Sequence, residues 1–330
     1  MAGTTGDAAR PLGGERRGAG AELGSQAARR PRGRSARLWL ELGRVSNLPT
    51  VWSNVLAGGV LAGGAIVTQP SATLPLAVVI VALTLCYLGG MYLNDAFDAV
   101  IDARERADRP IPRGDIDRRT VAWLGALMLI LAVALLFAVS PAAGSAGVTL
   151  AATVVAYDAW HKRIRWAPLL MGGCRLLTYG VAALALTGGA LDGETVPTAL
   201  GWGALGLFCH VVGLTYAARQ EAFDRLDAAW PLLVLAVPAL LGGVFVFSAP
   251  EVSLLALGLW AGYLGWGGRC LLWLRRRARG DVPRAVVGLI AAISLFDATL
   301  MAALGAPILA MLALLAFIAT LGLQRLASGT

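Results

Sequence analysis

Residues Leu74–Ile116 read LPLAVVIVALTLCYLGGMYLNDAFDAVIDARERADRPIPRGDI. From Leu74 through Asn94 the stretch carries no charged side chain, a length that crosses the hydrocarbon of a bilayer when wound as a helix. At its end the chemistry changes abruptly. Asn94, Asp98 and Asp102 are spaced i, i+4, i+8 and line one helix face, while Asp95 falls off its edge. Three carboxylates on adjacent turns repel one another unless a cation sits among them. Oxygen-only ligands of this kind suit Mg²⁺, which takes its remaining ligands from water and substrate phosphates. The next arginines along the chain, Arg104, Arg106, Arg109 and Arg113, are of the type that clamps such phosphates. A solvated helix end with self-neutralising Asp and Arg is the plainer reading. The order of one Asn, three Asp and then an Arg-Pro-x-Pro-x-Gly turn is more specific than that reading needs.

The remainder of the chain has the same apolar character. Its 330 residues are 57% hydrophobic and 15% charged, with a mean hydropathy of +0.69, whereas soluble domains carry about 25% charged residues. A soluble domain is excluded. Apolar segments run roughly over 46–67, 74–97, 119–139, 142–160, 167–190, 197–219, 229–248, 251–274, 284–304 and 307–324, giving about nine to ten spans. The last two are separated by Gly305 and Pro307, which mark either a tight turn or a kink. Lipid leaves no partner for the amides of an irregular chain, and alternating barrel strands are missing, so the expected fold is an all-α polytopic transmembrane bundle. Residues 1–37, rich in Gly, Ala and Arg, read as a disordered tail; the transmembrane domain covers 38–330.

Basic connections, such as the loop after Asp102, Lys162-Arg163-Ile164-Arg165 and Arg275-Arg276-Arg277, alternate with TQPSAT, SPAAGS, LDGET and SAPE. The positive-inside rule places the basic set, and both termini, on the cytoplasmic side of a multi-pass inner (plasma) membrane protein. The net charge of +8 thus reads as topology rather than as a nucleic-acid footprint, since no basic face is interleaved with aromatics. Four cysteines stand singly, and His161 and His210 are far apart; neither a zinc site nor a disulfide framework is supported.

A second acidic group follows the sixth span in YAARQEAFDRLD, from Tyr216. Glu221, Asp224 and Asp227 repeat at i, i+3, i+6 and, by parity, lie on the same membrane side as the first group. Two acidic helix ends on one side suit a diphosphate held through two or more Mg²⁺, although Arg219 and Arg225 also allow the second group to be an ordinary charged helix face. Asp158 and Lys162 form an i, i+4 pair, so that Lys162 either contacts diphosphate or pairs with Asp158. Arg175, a few residues into its span, either faces a cavity or a carboxylate or snorkels to the helix end. Asp297 lies mid-span as a bundle contact or an acceptor-side group.

These residues resemble the UbiA superfamily of intramembrane prenyltransferases. The first group is similar to the family's NDxxDxxxD motif, matched by Asn94, Asp95, Asp98 and Asp102 with the RPIPRG continuation at Arg109 to Gly114. The second resembles YxxxKDxxD at Tyr216 and Asp224, with Gln220 in place of Lys and Glu221 in place of Asp. The segment from Tyr157 to Arg175, YDAWHKRIRWAPLLMGGCR, further resembles the EboC-like branch. The resemblance implies Mg²⁺-dependent transfer of a prenyl or polyprenyl group from its diphosphate to a small acceptor within the bilayer. It implies Asn94, Asp95, Asp98, Asp102, Glu221, Asp224 and Asp227 as metal ligands, and Asn94, Arg104, Arg109, Arg113 and Arg175 around the diphosphate. Asp98, Asp102, Lys162 and Tyr216 would act in catalysis, with Tyr157, Tyr179 or Tyr216 offering a ring face to carbocationic carbon. The rival readings are a small-molecule transporter, disfavoured because the acidic groups lie at span ends, and a noncatalytic isoprenoid-lipid-binding homologue, which Gln220 and Glu221 permit. No protein partner is inferable.

Overall fold

The structure, a computed structural model, describes residues 32–63, 69–189, 198–221, 230–276 and 278–326. The helices are α1 (Arg32–Leu42), α2 (Leu48–Gly63), α3 (Thr73–Glu105), α4 (Arg118–Val139), α5 (Pro141–Trp160) and α6 (Ala167–Leu186), followed by α7 (Thr198–Glu221), α8 (Trp230–Ser248), α9 (Leu254–Arg276), α10 (Asp281–Ala303) and α11 (Pro307–Leu326). Helix thus begins at Arg32, six residues inside the expected tail. The chain divides into two compact units at Arg37/Leu38, and the unit from Leu38 onward holds every helix from α2 to α11.

Ten helices, α2 to α11, correspond to the ten apolar segments. Among the described residues, six helices are long and apolar enough to cross a membrane by length and composition. The question left open at Gly305 and Pro307 resolves as a tight turn. Gly305 adopts φ 76°, which is open to glycine and strained for other residues, and Pro307 begins α11 at a position where its missing N–H is no loss.

Helix α10 forms the axis of the larger half, with Ala291 to Ala302 buried throughout; α2, α7, α9 and α11 surround it. Helices α3, α4 and α5 form a second packed group, joined to the first through α2 and α6. The outer surface is apolar: Leu254 is 85% exposed, Ile308 78%, Trp123 77% and Leu233 70%. Water would penalise such a girdle and acyl chains would not. This is a membrane protein. Two close approaches set the helix geometry near the acidic stretch. A Cβ on Gly89 would lie 2.8 Å from the carbonyl oxygen of Gly125, and one on Gly125 would lie 2.9 Å from that of Gly89, so α3 and α4 meet backbone to backbone. Gly58 admits the backbone of Tyr179 in the same way, drawing α2 against α6. The N-terminus of α4 is capped by Asp117, which accepts hydrogen bonds from the backbone N–H of Arg119 (2.9 Å) and Thr120 (3.2 Å). That cap ends the arginine-rich loop.

Candidate active site

The acidic stretch is the last part of one unbroken helix, α3, and its periodicity survives intact. Asn94, Asp95, Asp98 and Asp102 are all buried. Buried carboxylates need charge or hydrogen-bond partners, and each finds them on another element. Asp95 accepts from Arg109 Nη1 (2.9 Å) and from Arg44 Nη2 (3.2 Å), and Asp102 lies 4.0 Å from Arg109 Nε. On the other flank Asp98 faces His161 Nε2 (3.3 Å) and Lys162 Nζ (3.5 Å). Asn94 accepts from Arg44 Nη2 (3.3 Å) and donates from Nδ2 to Asp158 Oδ1 (3.1 Å). From its position off the main face Asp95 anchors two guanidinium groups.

The arginines divide by role. Burial pushes the Arg109 guanidinium below its ordinary pKa, with the like charge of Arg44 adding to this and Asp95 and Asp102 opposing it. A desolvated cation of that kind gains from a further anion. Arg113 instead folds back on its own loop, donating to Asp115 Oδ2 (2.5 Å) and to the Asp108 carbonyl (2.8 Å), and Arg104 is exposed. Arg175 is engaged on α2 instead, where its Nη1 donates to Asn54 Oδ1 at 2.7 Å.

Two residues at the site had no sequence signal of comparable strength. Arg44 precedes the first apolar segment and looks like one more arginine after a basic tail, yet it reaches Asn94 and Asp95 across fifty positions. It has φ 42° and ψ 46°, the single left-handed non-glycine residue among those described. That conformation costs about 1–2 kcal/mol and persists here with its side chain held by Asn94 and Asp95 and its carbonyl by Tyr87 OH (3.2 Å). His161, set aside as a metal ligand, stands beside Asp98 and stacks on Tyr157 with ring centroids 5.1 Å apart.

The expected Asp158–Lys162 pair is corrected. Helix α5 ends at Trp160 and His161 to Arg163 form a turn, so the i, i+4 geometry that would have joined the two is lost. Lys162 goes to Asp98, and Asp158 goes to Asn94. Tyr216 is held by a hydrogen bond from its OH to the Arg165 carbonyl (3.1 Å) and by an edge contact with Trp230. Of the second acidic group, Glu221 ends α7 with its side chain outside the described residues, and Asp224 and Asp227 lie outside them altogether. Among the described residues, no three Asp, Glu, His or Cys side chains converge on one metal position.

Deeper in the bundle lies a polar core that joins α2, α6 and α10. Asp297 Oδ2 accepts from Ser53 Oγ (2.6 Å) and Asn54 Nδ2 (2.8 Å), and its Oδ1 accepts from Tyr179 OH. The mid-span aspartate is thus a bundle contact, and through Asn54 it reaches Arg175. Between this core and the acidic end of α3 is a cavity of about 90 Å³, lined mostly by apolar side chains together with Tyr87, Tyr157, Asp158 and Arg175. A larger cavity of about 800 Å³ opens at the opposite end of the bundle beside Trp202, Phe245 and Leu304; it has one charged residue, Glu251, and no assembled chemistry.

The profile of the UbiA prenyltransferase family matches residues 51–274, which hold α3 and its acidic row, most of α2, and every helix from α4 through α8. The chain belongs to the UbiA prenyltransferase family. A digeranylgeranylglyceryl phosphate synthase of Thermococcus gammatolerans is 42% identical over 52 residues, 16% of this chain and 19% of that relative, so the matched stretch spans about a fifth of the relative's length. Two solved structures share the fold. One comes from work on digeranylgeranylglyceryl phosphate synthase in membranes, with TM-score 0.57, 16% identity and coverage of 82% of this chain and 99% of the other. The second is a UbiA homologue from Aeropyrum pernix K1, with TM-score 0.58, 18% identity and coverage of 77% and 97%.

Proposed function

We propose that this protein transfers a prenyl or polyprenyl group from its diphosphate to a small acceptor, at the cytoplasmic face of a plasma membrane. One observation carries the reading: the buried row Asn94, Asp95, Asp98 and Asp102 is ringed by Arg44, Arg109, His161 and Lys162, directly above a mostly apolar cavity. The donor set of the row is oxygen only, which fits Mg²⁺; Asp98 and Asp102 on the main face would hold it, with Asn94 beside them. On sequence grounds Glu221, Asp224 and Asp227 would add a second set of ligands. When bound, Mg²⁺ supplies positive charge that favours departure of the diphosphate.

The chain's own groups divide the remaining work. Arg44 and Arg109, aligned by Asp95, donate to diphosphate oxygens, and their bonds strengthen as the allylic C–O bond breaks and its electron pair leaves with the diphosphate. Lys162, on the turn after α5, supplies a third cation from the opposite flank. The apolar lining below keeps water from the electron-deficient carbon, and the Tyr157 ring lies on the cavity wall where a cation–π contact is worth ~1–2 kcal/mol in a dry site.

The test is direct. Protein in nanodiscs is incubated with radiolabelled geranyl, farnesyl and geranylgeranyl diphosphates, with and without Mg²⁺, and a membrane lipid extract as the acceptor source. Metal-dependent release of diphosphate with label appearing in a new lipid is the expected result. Tight binding of the diphosphates without turnover would favour a lipid-binding protein, and flux across vesicles without turnover a transporter.

A further inference from the structure

Helix α9 ends in a basic stripe on the outside of the bundle. Arg269, Leu272, Trp273 and Arg276 are spaced i, i+3, i+4, i+7 and share one helix face, and with Arg275 they line an open groove of about 570 Å³. Arg269 lies about 10 Å along the axis inside the helix end at Arg276, a depth at which a cation facing lipid is costly. Its guanidinium stands 4.9 Å from the ring centroid of Trp273 and 6.0 Å from that of Trp266. It therefore leans toward the helix end, where Trp273 sits one turn on. Among the described residues no carboxylate pairs with Arg269 or Arg275, both of which are exposed. Arg276 is already neutralised, donating from Nε to Asp281 Oδ2 (2.7 Å) and from Nη2 to its Oδ1 (2.8 Å). The groove thus keeps two uncompensated cations beside Leu272, which is 65% exposed. The two tryptophans also differ. Trp266 Nε1 donates to the Gly288 carbonyl on α10 (2.9 Å), and its ring meets Phe317 of α11 edge-on. None of the described residues accepts from the Trp273 indole N–H. Beside its stacked arginine, Trp273 has a donor to spare.

We propose that this groove binds the head group of an anionic phospholipid, its phosphodiester accepting from Arg269, Arg275 and the Trp273 indole N–H while an acyl chain lies along Leu272. The assignment is independent of the reaction at the acidic row. Charge complementarity and depth argue for it together. A phosphate compensates both spare guanidinium groups through charge-assisted hydrogen bonds, and the acyl chain covers apolar surface that water would penalise. The loop that follows α9 is one of the basic connections that the positive-inside rule assigns to the cytoplasmic side, where anionic phospholipids attract arginine at the membrane surface. A second copy of this chain fits less well. An isologous contact through the stripe would set Arg269 and Arg275 against the same residues of the other copy, adding like charge where charge is already unpaired. A soluble anion would compensate the arginines but leave Leu272 uncovered.

The experiment titrates full-length protein in detergent with dioleoyl phosphatidylglycerol or dioleoyl phosphatidylcholine and counts bound lipids by native mass spectrometry. The two lipids share their chains and phosphodiester and differ in net charge. The first phosphatidylglycerol should bind about tenfold tighter than the first phosphatidylcholine. Arg269→Gln should lower that preference about fivefold, the effect of one arginine at a lipid surface. Trp273→Phe keeps a ring beside Arg269 and loses the N–H, so it should lower the preference by a smaller factor. Arg119→Gln is the control: it removes one exposed cation from the start of α4, outside the groove, and should leave the preference unchanged. Circular dichroism of each variant checks that the helices remain. A wild type without preference for phosphatidylglycerol would overturn the proposal, as would a preference that Arg269→Gln leaves intact. Equal losses in Arg119→Gln and Arg269→Gln would show a general charge effect and no site. Glycerophosphoglycerol, the same head group without acyl chains, should compete poorly. Competition at the concentration of the lipid itself would make the groove a site for a soluble anion and overturn the lipid assignment. A dimer that dissociates on Arg269→Gln would make the stripe a contact between copies, which overturns it equally.

Discussion

Arg44 Nη2 lies 3.2 Å from Asp95 Oδ1, and the backbone of Arg44 is left-handed to bring it there. The residue accepts conformational strain at the lip of the acidic row, the pattern expected where function rather than stability fixes a side chain. Two substitutions separate the parts. Arg44→Ala and Arg44→Gly remove the same guanidinium, so both should lower kcat/KM for the prenyl diphosphate by about 10–100-fold, in line with ~1.4–2.7 kcal/mol for charge-assisted bonds to phosphate. Glycine pays no left-handed penalty, so Arg44→Gly should unfold later than Arg44→Ala by about 1 kcal/mol. Thermal unfolding in detergent, beside turnover, reads both quantities. Equal stability of the two variants would mean that the strain is absent.

Asp98→Ala and Asp102→Ala should abolish transfer, by about a thousandfold or more, because they remove oxygen ligands from the main face of α3. Asp95→Asn should act differently. It leaves that face intact but loosens Arg44 and Arg109, which both rest on Asp95 Oδ1. Its expected signature is a raised KM for the diphosphate with little change in the Mg²⁺ concentration at half-maximal rate. A Mg²⁺ titration of each variant checks this, and a shifted metal curve for Asp95→Asn would place Asp95 among the ligands.

The acidic row was legible in sequence because all its members lie within nine residues of one helix, where spacing alone fixes the face. The helices were legible for a similar reason, since long apolar runs marked all ten from α2 to α11, of which six are long and apolar enough to cross a membrane among the described residues. The features that escaped depend on contacts between distant helices. Arg44 meets Asn94 only after α2 and α3 pack, and the link from Arg175 through Asn54 to Asp297 joins three helices. The Asp158–Lys162 pair failed for a local reason instead, since an i, i+4 rule holds only while the helix continues and α5 stops at Trp160.

The meeting of Gly89 and Gly125 gives a prediction about helix spacing. Gly125→Ala would set a methyl 2.9 Å from the Gly89 carbonyl and from Leu93 Cγ, and backbone cannot yield as a side-chain tip does. A loss of about 1–3 kcal/mol is expected. Displacement of α3, which carries the acidic row a short way farther on, should lower turnover as well. Gly262→Ala is the control: nothing lies within 4 Å of the added methyl, and alanine favours helix over glycine by up to about 1 kcal/mol. It should be neutral or stabilising by thermal unfolding.

Asp297 tests whether the polar core is a structural joint. Its two oxygens receive three donors from two other helices, Ser53 and Asn54 on α2 and Tyr179 on α6. Asp297→Asn keeps the size but offers one acceptor oxygen, and its NH₂ group meets a donor. At least one buried donor loses its partner, at a cost of about 1–3 kcal/mol. Tyr179→Phe removes one of the three donors, so in the Asp297→Asn background it should cost less than in the wild type. Paired substitutions between membrane helices couple by about 0.6 kcal/mol on average and up to about 1.7 kcal/mol. The charged acceptor and complete burial place this pair toward the upper figure. A double-mutant cycle in detergent, read by thermal unfolding midpoints, measures the coupling directly. Additive effects would show that Tyr179 and Asp297 stabilise the bundle independently, and that the bond between them does not fasten α6 to α10.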